Sequence, residues 1–215
     1  MIIKYALRGQ VALFITFEGQ EGAGKSTQAK LLHDYLVAHG IKVFLTRDPG
    51  GTDIAEKIRD IVKDVQNVAI SKRAEALLYI AARAQLVEEV IRPKLESNTI
   101  VIRDRYTDST VAYQGFGNNL DVDELTHIGN FATGGFMPDI TFYLRIDTED
   151  GLARKLAQDK LDRIEQKDLS YHANVRLGYD YLAKKYPQRI ITIDGSLPQN
   201  EIHQQITKHI DNITN

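Results

Sequence analysis

The stretch FEGQEGAGKST, residues 17–27, decides how this chain folds. Within it, Gly19, Gly24, Lys25 and Ser26 satisfy the spacing G-x-x-x-x-G-K-[ST]. Glycine has no Cβ, so a loop of this composition can curl with its backbone N–H groups pointing inward. Those N–H groups, together with the free donors at the start of a following helix, form a site for an anion. The stretch therefore predicts a loop that binds phosphate groups.

The loop belongs to an alternation of apolar strands and amphipathic helices. Five short runs are continuous and rich in β-branched residues, as expected for strands buried on both faces: residues 12–17, 42–46, 99–102, 140–146 and 189–193. Helical patterns lie between or after them, at residues 25–39, 54–65, 73–96, 121–132 and about 171–185. This alternation predicts a three-layer α/β fold, in which a five-stranded parallel sheet is flanked by helices. Residues 11–215 are predicted to form a single domain, and residues 1–10 an extension of unknown role.

The composition limits the class of protein. The 215 residues are 43% hydrophobic and 26% charged, with a net charge of −2, which is typical of a globular domain and not of a general nucleic-acid binder. Cysteine is absent, which excludes disulfides and thiolate metal sites and fits a reducing cytoplasm. No apolar run approaches the ~20 residues of a membrane span. We expect a cytoplasmic protein without a nucleic acid or a membrane as partner.

The phosphate-binding loop predicts a nucleoside triphosphate, most often ATP. Lys25 adds a positive charge near the β- and γ-phosphates, and Ser26 can offer its hydroxyl to Mg²⁺. The loop alone serves kinases, GTPases and motor ATPases. A GTPase would also need an N-K-x-D motif to read guanine, and the chain has none. The predicted contacts to ATP come from the whole loop: Gly19, Gln20, Glu21, Gly22, Ala23, Gly24, Lys25, Ser26 and Thr27.

A small kinase also needs a site for an anionic acceptor, and arginines follow two further predicted strands. TRDPGGT (46–52) follows the second strand and RDRY (103–106) follows the third. Ligands of open α/β sheets bind at these carboxyl ends. In LLYIAARAQ, Tyr79 and Arg83 are four residues apart on one helical face, which suits stacking on a nucleobase and a hydrogen bond to a ring carbonyl. Tyr79 alone is equally compatible with a packing role.

Taken in order, these motifs resemble those of bacterial thymidylate kinases. The phosphate loop with Glu21, then TRDPGGT, LLYIAARAQ, RDRY with STVAYQG (109–115), FYLRID and LDRIEQ (161–166) run from about Leu13 to the C-terminus in that family's order. The resemblance implies a P-loop kinase fold with a mobile lid at about residues 148–168. It also implies ATP and Mg²⁺ as cofactors, dTMP as acceptor, dTDP as product and a homodimer.

The resemblance further implies roles for single residues. The acceptor site would comprise Asp48, Arg59, Tyr79, Arg83, Arg105, Ser109, Thr110, Tyr113 and Gln114. Tyr79 would stack on thymine, Arg83 would donate to a ring carbonyl, and Tyr113 would lie under the sugar. Thr110 and Gln114 would read the base edge, with Ser109 beside them, whereas Arg59 and Arg105 would hold the acceptor phosphate. The catalytic groups would be Lys25, Arg105, Arg154 and Glu21, and Mg²⁺ would lie at Ser26 and Asp104.

Three departures from the family pattern affect these assignments. Tyr79 stands where the family usually has Phe, and Asp48 where it has Glu. Gly22 stands where some members carry an arginine that acts on the transferred phosphoryl group. We therefore expect that charge to come from the lid, where Arg154 matches the family best and Lys155 and Lys160 are expected to be solvated. Two alternatives stay open: a kinase for dUMP or a deoxynucleoside, and a nucleotide-dependent switch.

Overall fold

The structure is a computed structural model, and it describes residues 6–7, 10–157 and 161–214. The first elements are two short antiparallel strands, β1 (Ala6–Leu7) and β2 (Gln10–Val11). This pair spans the predicted boundary between residues 10 and 11. The rest of the predicted N-terminal extension, residues 1–5 and 8–9, lies outside the described residues.

The central sheet has five parallel strands in the order β4-β5-β3-β6-β7, so the predicted fold class is confirmed. Their bounds are β3 (Phe14–Glu18), β4 (Val43–Arg47), β5 (Ile100–Asp104), β6 (Ile140–Arg145) and β7 (Ile190–Asp194). The first predicted strand starts at Phe14 rather than at residue 12, although Ala12 and Leu13 are also buried. β3 pairs with both β5 and β6, which brings its following loop to the middle of one sheet edge.

Helices cover both faces of the sheet. The first four are α1 (Lys25–Ala38), α2 (Asp53–Lys63), α3 (Lys72–Leu86) and α4 (Arg92–Glu96), with a π-helical turn, Val87–Ile91, between the last two. The others are α5 (Thr107–Ser109), continued by a π-helical segment Thr110–Gly117, then α6 (Val122–Thr133), α7 (Thr148–Leu156), α8 (Leu169–Lys185) and α9 (Gln199–Thr214).

The apolar core has a part on each face of the sheet. On one face, Leu32 of α1 and Ile206 of α9 pack against strand residues such as Phe142. On the other face, Val87 packs with β3 and β5, and Tyr179 of α8 packs with β6. Burial of these side chains removes apolar surface from water, which is the main favourable contribution to folding. None of the helices within the described ranges is long and apolar enough to cross a membrane.

N-terminal capping residues fix where the helices that follow the site loops begin. Thr52 caps α2 by accepting a hydrogen bond from the Ala55 N–H at 3.1 Å, and Asp168 caps α8 by accepting one from the Tyr171 N–H at 2.7 Å. α1 follows Gly24, which supplies no side-chain cap. The first N–H groups of α1 therefore stay available for an anion.

Candidate active site

A cavity of about 220 Å³ lies at the carboxyl edge of the sheet, where the loops after β3, β4 and β5 meet. All nine predicted acceptor-site residues line it: Asp48, Arg59, Tyr79, Arg83, Arg105, Ser109, Thr110, Tyr113 and Gln114. Glu21, Lys25 and Ser26 of the phosphate loop line the same cavity, and so does Asp104. The fold thus joins the two anion sites that the sequence predicts on separate loops.

The phosphate loop has the backbone that its glycines predict. Gly19 has φ of 137°, and a Cβ there would lie 2.5 Å from the Leu144 carbonyl oxygen. Lys25 Nζ donates to the carbonyl oxygen of Gln20 at 2.6 Å, inside the loop. Burial, and then the positive charge of Arg105, lower the pKa of Lys25 to about 8. The lysine is thus held next to the N–H groups of the loop, and it loses its proton more readily than an exposed lysine does.

The phosphate loop also packs closely against α7. A Cβ added to Gly22 would lie 2.0 Å from the Gly151 carbonyl oxygen, and one added to Gly151 would lie 2.5 Å from the Glu21 carbonyl oxygen. Two glycines are needed because the two backbones touch at this point. Gln20 Nε2 adds a hydrogen bond to Thr148 Oγ1 at 3.1 Å. The position of α7 is therefore set by the loop that would hold ATP.

Ser26 and Asp104, the two residues of the predicted metal site, lie side by side. Ser26 Oγ donates to Asp104 Oδ2, and both residues line the cavity. A hydroxyl oxygen and a carboxylate oxygen in contact with each other are ligands that suit Mg²⁺. In proteins this ion keeps several bound waters and also takes phosphate oxygens as ligands. The described residues contain no cluster of three His, Cys, Asp or Glu side chains that could hold a metal ion alone. The pair fits a metal that is shared with a nucleotide.

Arg105 is the most highly connected cation of the cavity. Its Nη2 donates to Glu21 Oε1 at 2.7 Å and to the Tyr113 hydroxyl at 2.8 Å. Its Nη1 donates to the Gly19 carbonyl oxygen and to the Tyr179 hydroxyl, both at 3.0 Å. The backbone of Arg105 has φ of 72°, an unusual conformation for a residue other than glycine. Such strain is tolerated where the surrounding contacts fix the residue, and it is frequent at functional sites.

Two glutamates beside Arg105, the buried Glu18 and the half-buried Glu21, have opposite pKa shifts. Burial tends to raise the pKa of Glu21, but the charges of Arg105 and Lys25 outweigh it and hold the pKa well below the usual range. Burial, and then the charge of Asp108, raise the pKa of Glu18 to about 7. Glu21 is therefore an anion at neutral pH, facing the site where phosphates would bind.

Asp48 does not lie at the metal site. Its carboxylate accepts hydrogen bonds from Arg83 Nη2 and Arg103 Nη2, and all three side chains are buried. Arg83 Nη1 donates to Thr110 Oγ1 at 2.8 Å. Asp48 therefore orients the arginine that would read the base. Sequence reasoning missed Arg103, although it lies in the quoted RDRY motif, because a buried strand arginine has no signal beyond its position.

Lys155, rather than Arg154, lines the cavity. Arg154 Nη1 donates to the Gly195 carbonyl oxygen at 2.9 Å, so the structure does not bring this predicted catalytic residue to the acceptor site. Lys155 is only 23% exposed and lies 3.5 Å from Glu165, so the expectation that it is solvated is wrong. Adjacent residues of a helix point about 100° apart, so the two side chains leave α7 in different directions. Lys160 lies outside the described residues.

The second half of the predicted lid contributes cavity residues that sequence reasoning did not assign. Asp162, Ile164 and Glu165 of the LDRIEQ motif line the cavity. Asp162 Oδ2 accepts a hydrogen bond from Lys63 of α2 at 2.6 Å, and Lys63 lines the cavity as well. The motif itself was recognised, but its closure over the pocket depends on the tertiary fold.

Comparison with known proteins points to one family. The chain matches the family model described as Thymidylate kinase over residues 17–206. It is 45% identical over 207 residues to the curated "Thymidylate kinase" of Prosthecochloris aestuarii (strain DSM 271 / SK 413), covering 92% of each chain. It is 47% identical over 214 residues to that of Roseiflexus castenholzii (strain DSM 13941 / HLO8), covering 94% of this chain and 93% of the relative.

A solved structure agrees with this. The crystal structure of thymidylate kinase from Ehrlichia chaffeensis superposes with a TM-score of 0.76 at 32% identity, covering 93% of this chain and 98% of that one. The family-model match, the sequence identities and the structural likeness lead to one conclusion: the chain belongs to the thymidylate kinase family.

Proposed function

We propose that this chain transfers the γ-phosphoryl group of ATP to dTMP, giving dTDP and ADP, and that the transfer takes place in the cavity described above. The observation that carries the proposal is the meeting of two anion sites in one pocket. Lys25 of the phosphate loop and Arg105 after β5 both line it, on either side of Glu21. A protein that only bound ATP would have no use for the second site.

The acceptor roles rest on where donors and rings line the cavity. Tyr79 offers a ring for stacking on the base, and Arg83 offers N–H donors to a ring carbonyl. Arg59, whose Nη1 donates to the Pro49 carbonyl oxygen at 2.9 Å, and Arg105 are the cations for the acceptor phosphate. The Tyr113 hydroxyl donates to Glu21 Oε1 at 2.9 Å, so its ring is fixed where it would crowd a 2′-hydroxyl.

Catalysis requires charge stabilisation more than proton transfer. A phosphate monoester has its second pKa near 6, so its attacking oxygen is mostly deprotonated at neutral pH. The task of the side chains is to hold two anions in line and to stabilise charge on the phosphoryl group in flight. Lys25 and Arg105 supply positive charge from the donor and acceptor sides. Lys155, carried by α7 against the phosphate loop, supplies it from the lid.

Ser26 and Asp104 are the residues that would hold Mg²⁺. A bound Mg²⁺ would neutralise charge on the β- and γ-phosphates and fix their orientation. Asp104 belongs to β5 and Ser26 to α1, so the pair ties the metal site to the sheet edge. Asp104→Asn should raise the Mg²⁺ concentration needed for half-maximal activity while leaving the affinity for dTMP unchanged.

We also propose a homodimer, formed through α3 and α6. Leu77 is 52% exposed and Phe131 is 85% exposed, although both are large apolar side chains. Leu77 and Ile128 line an apolar hollow of about 170 Å³ between the two helices. Phe131→Glu should yield a monomer in light scattering. Val68→Glu, at another apolar position that is 81% exposed, should leave the dimer intact.

An acceptor screen with ATP and Mg²⁺ tests the proposed reaction. We expect dTDP from dTMP, weaker turnover of dUMP, and poor turnover of dCMP, AMP and GMP. Thymidine should be inactive, because a nucleoside would leave Arg59 and Arg105 without an anion. Preference for thymidine would indicate a deoxynucleoside kinase, and ATP binding without any acceptor chemistry would indicate a switch.

A further inference from the structure

Glu75 is a buried carboxylate that the reaction described above does not use. Only 1% of its surface is exposed. Its Oε1 accepts hydrogen bonds from Gln114 Nε2 at 3.1 Å and from Asn118 Nδ2 at 2.8 Å. Its Oε2 accepts one from Arg163 Nη2 at 2.8 Å, and Lys167 Nζ lies 3.4 Å from both oxygens. Glu75 thus joins the wall of the acceptor cavity to the second half of the predicted lid.

The surroundings of Glu75 keep it ionised. Burial tends to raise its pKa, but the positive charge of Lys167 and the hydrogen bonds from Gln114 and Arg163 outweigh burial and hold the pKa below its ordinary value. An ionised carboxylate accepts hydrogen bonds and donates none. The end of the Gln114 amide that meets Glu75 must therefore be its NH₂ group.

This contact fixes the other end of the amide. Gln114 lines the acceptor cavity, and its Oε1 accepts no hydrogen bond from any residue that the structure describes. We infer that Glu75 is a positioning residue for base selection: it turns the Gln114 amide so that the acceptor's base must offer an N–H to Oε1. The inference rests on the proposed function and goes further, because it says which residue sets the polarity of the base-reading contact.

The neighbouring Arg83 completes the pattern. A guanidinium can only donate, so Arg83 requires an acceptor on the base, while the Gln114 Oε1 requires a donor. Thymine and uracil present a carbonyl oxygen beside a ring N–H, which matches both groups. Cytosine and adenine present an amino group beside a bare ring nitrogen, so both contacts are reversed. Unpaired groups in a buried site are costly, and this makes the pattern selective.

The test compares base discrimination in Glu75→Gln with that of the wild-type protein. A glutamine at position 75 can accept or donate, so the Gln114 amide is free to take either orientation. We expect the ratio of the dissociation constants for dCMP and dTMP, measured by calorimetry, to fall by roughly tenfold. The kcat/KM for dTMP should fall by a similar factor, mainly through KM.

A matched control removes a different hydrogen bond to the same oxygen of Glu75. Asn118→Ala deletes the Asn118 donor and leaves the Gln114 contact in place, so it should lower the unfolding temperature without changing the ratio. Glu75→Gln leaves Arg163 and Lys167 without their anion, which can prevent folding. In that event the double variant Glu75→Gln, Lys167→Met, which keeps the net charge of the cluster, is compared with Lys167→Met alone.

The outcomes separate this inference from the proposed function. A wild-type protein that phosphorylates dTMP, with a folded Glu75 variant that keeps the wild-type ratio, would overturn the inference alone. A wild-type protein that prefers a guanine nucleotide would overturn the proposed function alone. Guanine also has a carbonyl oxygen beside a ring N–H, so the dAMP-to-dGMP ratio would then provide the same test of Glu75.

Discussion

Arg105 and Glu21 form an ion pair across the active-site cavity, with Nη2 of the arginine 2.7 Å from Oε1 of the glutamate. Glu21 belongs to the phosphate loop and Arg105 follows β5, so the pair joins the two anion sites. Charges this close interact strongly in a site of low dielectric. An acceptor phosphate that takes the guanidinium therefore competes with a carboxylate that is already there. The pair also fixes the orientation of Arg105 in the cavity.

Arg105→Ala should remove the acceptor-side charge and leave Glu21 unpaired. We expect kcat for dTMP to fall by roughly 10³-fold, because a cation on a transferred phosphoryl group contributes on that order. ATP should still bind, as measured with a fluorescent analogue. Arg92→Ala, the same chemical change on a residue that does not line this cavity, serves as control. Unchanged turnover in a folded Arg105→Ala protein would rule out its role at the acceptor phosphate.

Lys155→Ala should lower kcat more than Arg154→Ala does. Lys155 lines the cavity, whereas Arg154 is held by the Gly195 carbonyl oxygen. If Lys155 acts on the phosphoryl group in flight, its loss should reduce kcat by at least about tenfold with little change in the KM for dTMP. Steady-state kinetics of both variants, with the exposed Lys30→Ala as control, would measure this. The reverse order would mean that Arg154 reaches the cavity during turnover.

Gly151→Ala should separate α7 from the phosphate loop. A Cβ there would lie 2.5 Å from the Glu21 carbonyl oxygen, and a backbone atom cannot move aside as a side chain can. We expect a raised KM for ATP together with a lowered kcat, because both the loop and Lys155 are displaced. Gly129→Ala, also in a helix but with nothing within 4 Å of the new Cβ, should gain about 0.5–1 kcal/mol of stability and keep its activity. Equal kinetics for the two variants would contradict the proposed docking.

ATP binding should take up protons near pH 8. The pKa of Lys25 is about 8, below its ordinary value of 10.5, because burial and Arg105 disfavour the charged form. A bound polyphosphate favours that form and raises the pKa, so Lys25 should take up about half a proton at pH 8 and almost none at pH 6. Calorimetry in buffers of different ionisation enthalpy measures this uptake. Lys25→Arg, which stays charged, should abolish it; uptake that persists in this variant would come from another group.

The same pKa shift predicts how the stability of the folded protein changes with pH. Between pH 8 and 10.5 the unfolded chain binds the Lys25 proton and the folded protein does not. Stability therefore rises with pH across that window through this group alone. The unfolding free energy of the wild-type protein, minus that of Lys25→Met, should therefore increase from pH 8 to pH 10.5.

Much of the fold could be predicted because buried parallel strands have a strong local signal. The five continuous β-branched runs lie within two residues of β3–β7, and the order of strands and helices gave the layers. The π-helical segment Thr110–Gly117 could not be predicted, since an extra residue in a helical turn depends on tertiary packing. α9 was overlooked although Ile202, Ile206 and Ile210 recur every four residues and are all buried.

Site residues could be predicted where a motif fixes the backbone. They could not be predicted where their position depends on which face of a helix points to the cavity. Glycine spacing was enough to locate Lys25 and Ser26. The choice between Arg154 and Lys155 turns on the direction in which α7 faces the loop, and this is set by the Gly22–Gly151 contact. No local pattern encodes that contact, because its two residues are far apart in the chain. Glu75 was missed for the same reason: its partners come from two segments that are both far from it in the chain.

The contact between Gly22 and Gly151 limits how a protein of this design can acquire its second cation. Any side chain at position 22 would begin 2.0 Å from a carbonyl oxygen of α7, so an arginine cannot simply be added to the loop while the helix stays docked. A loop arginine and a docked helix with a lysine are therefore mutually exclusive. A lineage that changed from the helix lysine to a loop arginine would have to alter positions 22, 151 and 155 together. A single Gly22→Arg replacement would displace α7, and with it Lys155, before the arginine could take over its role.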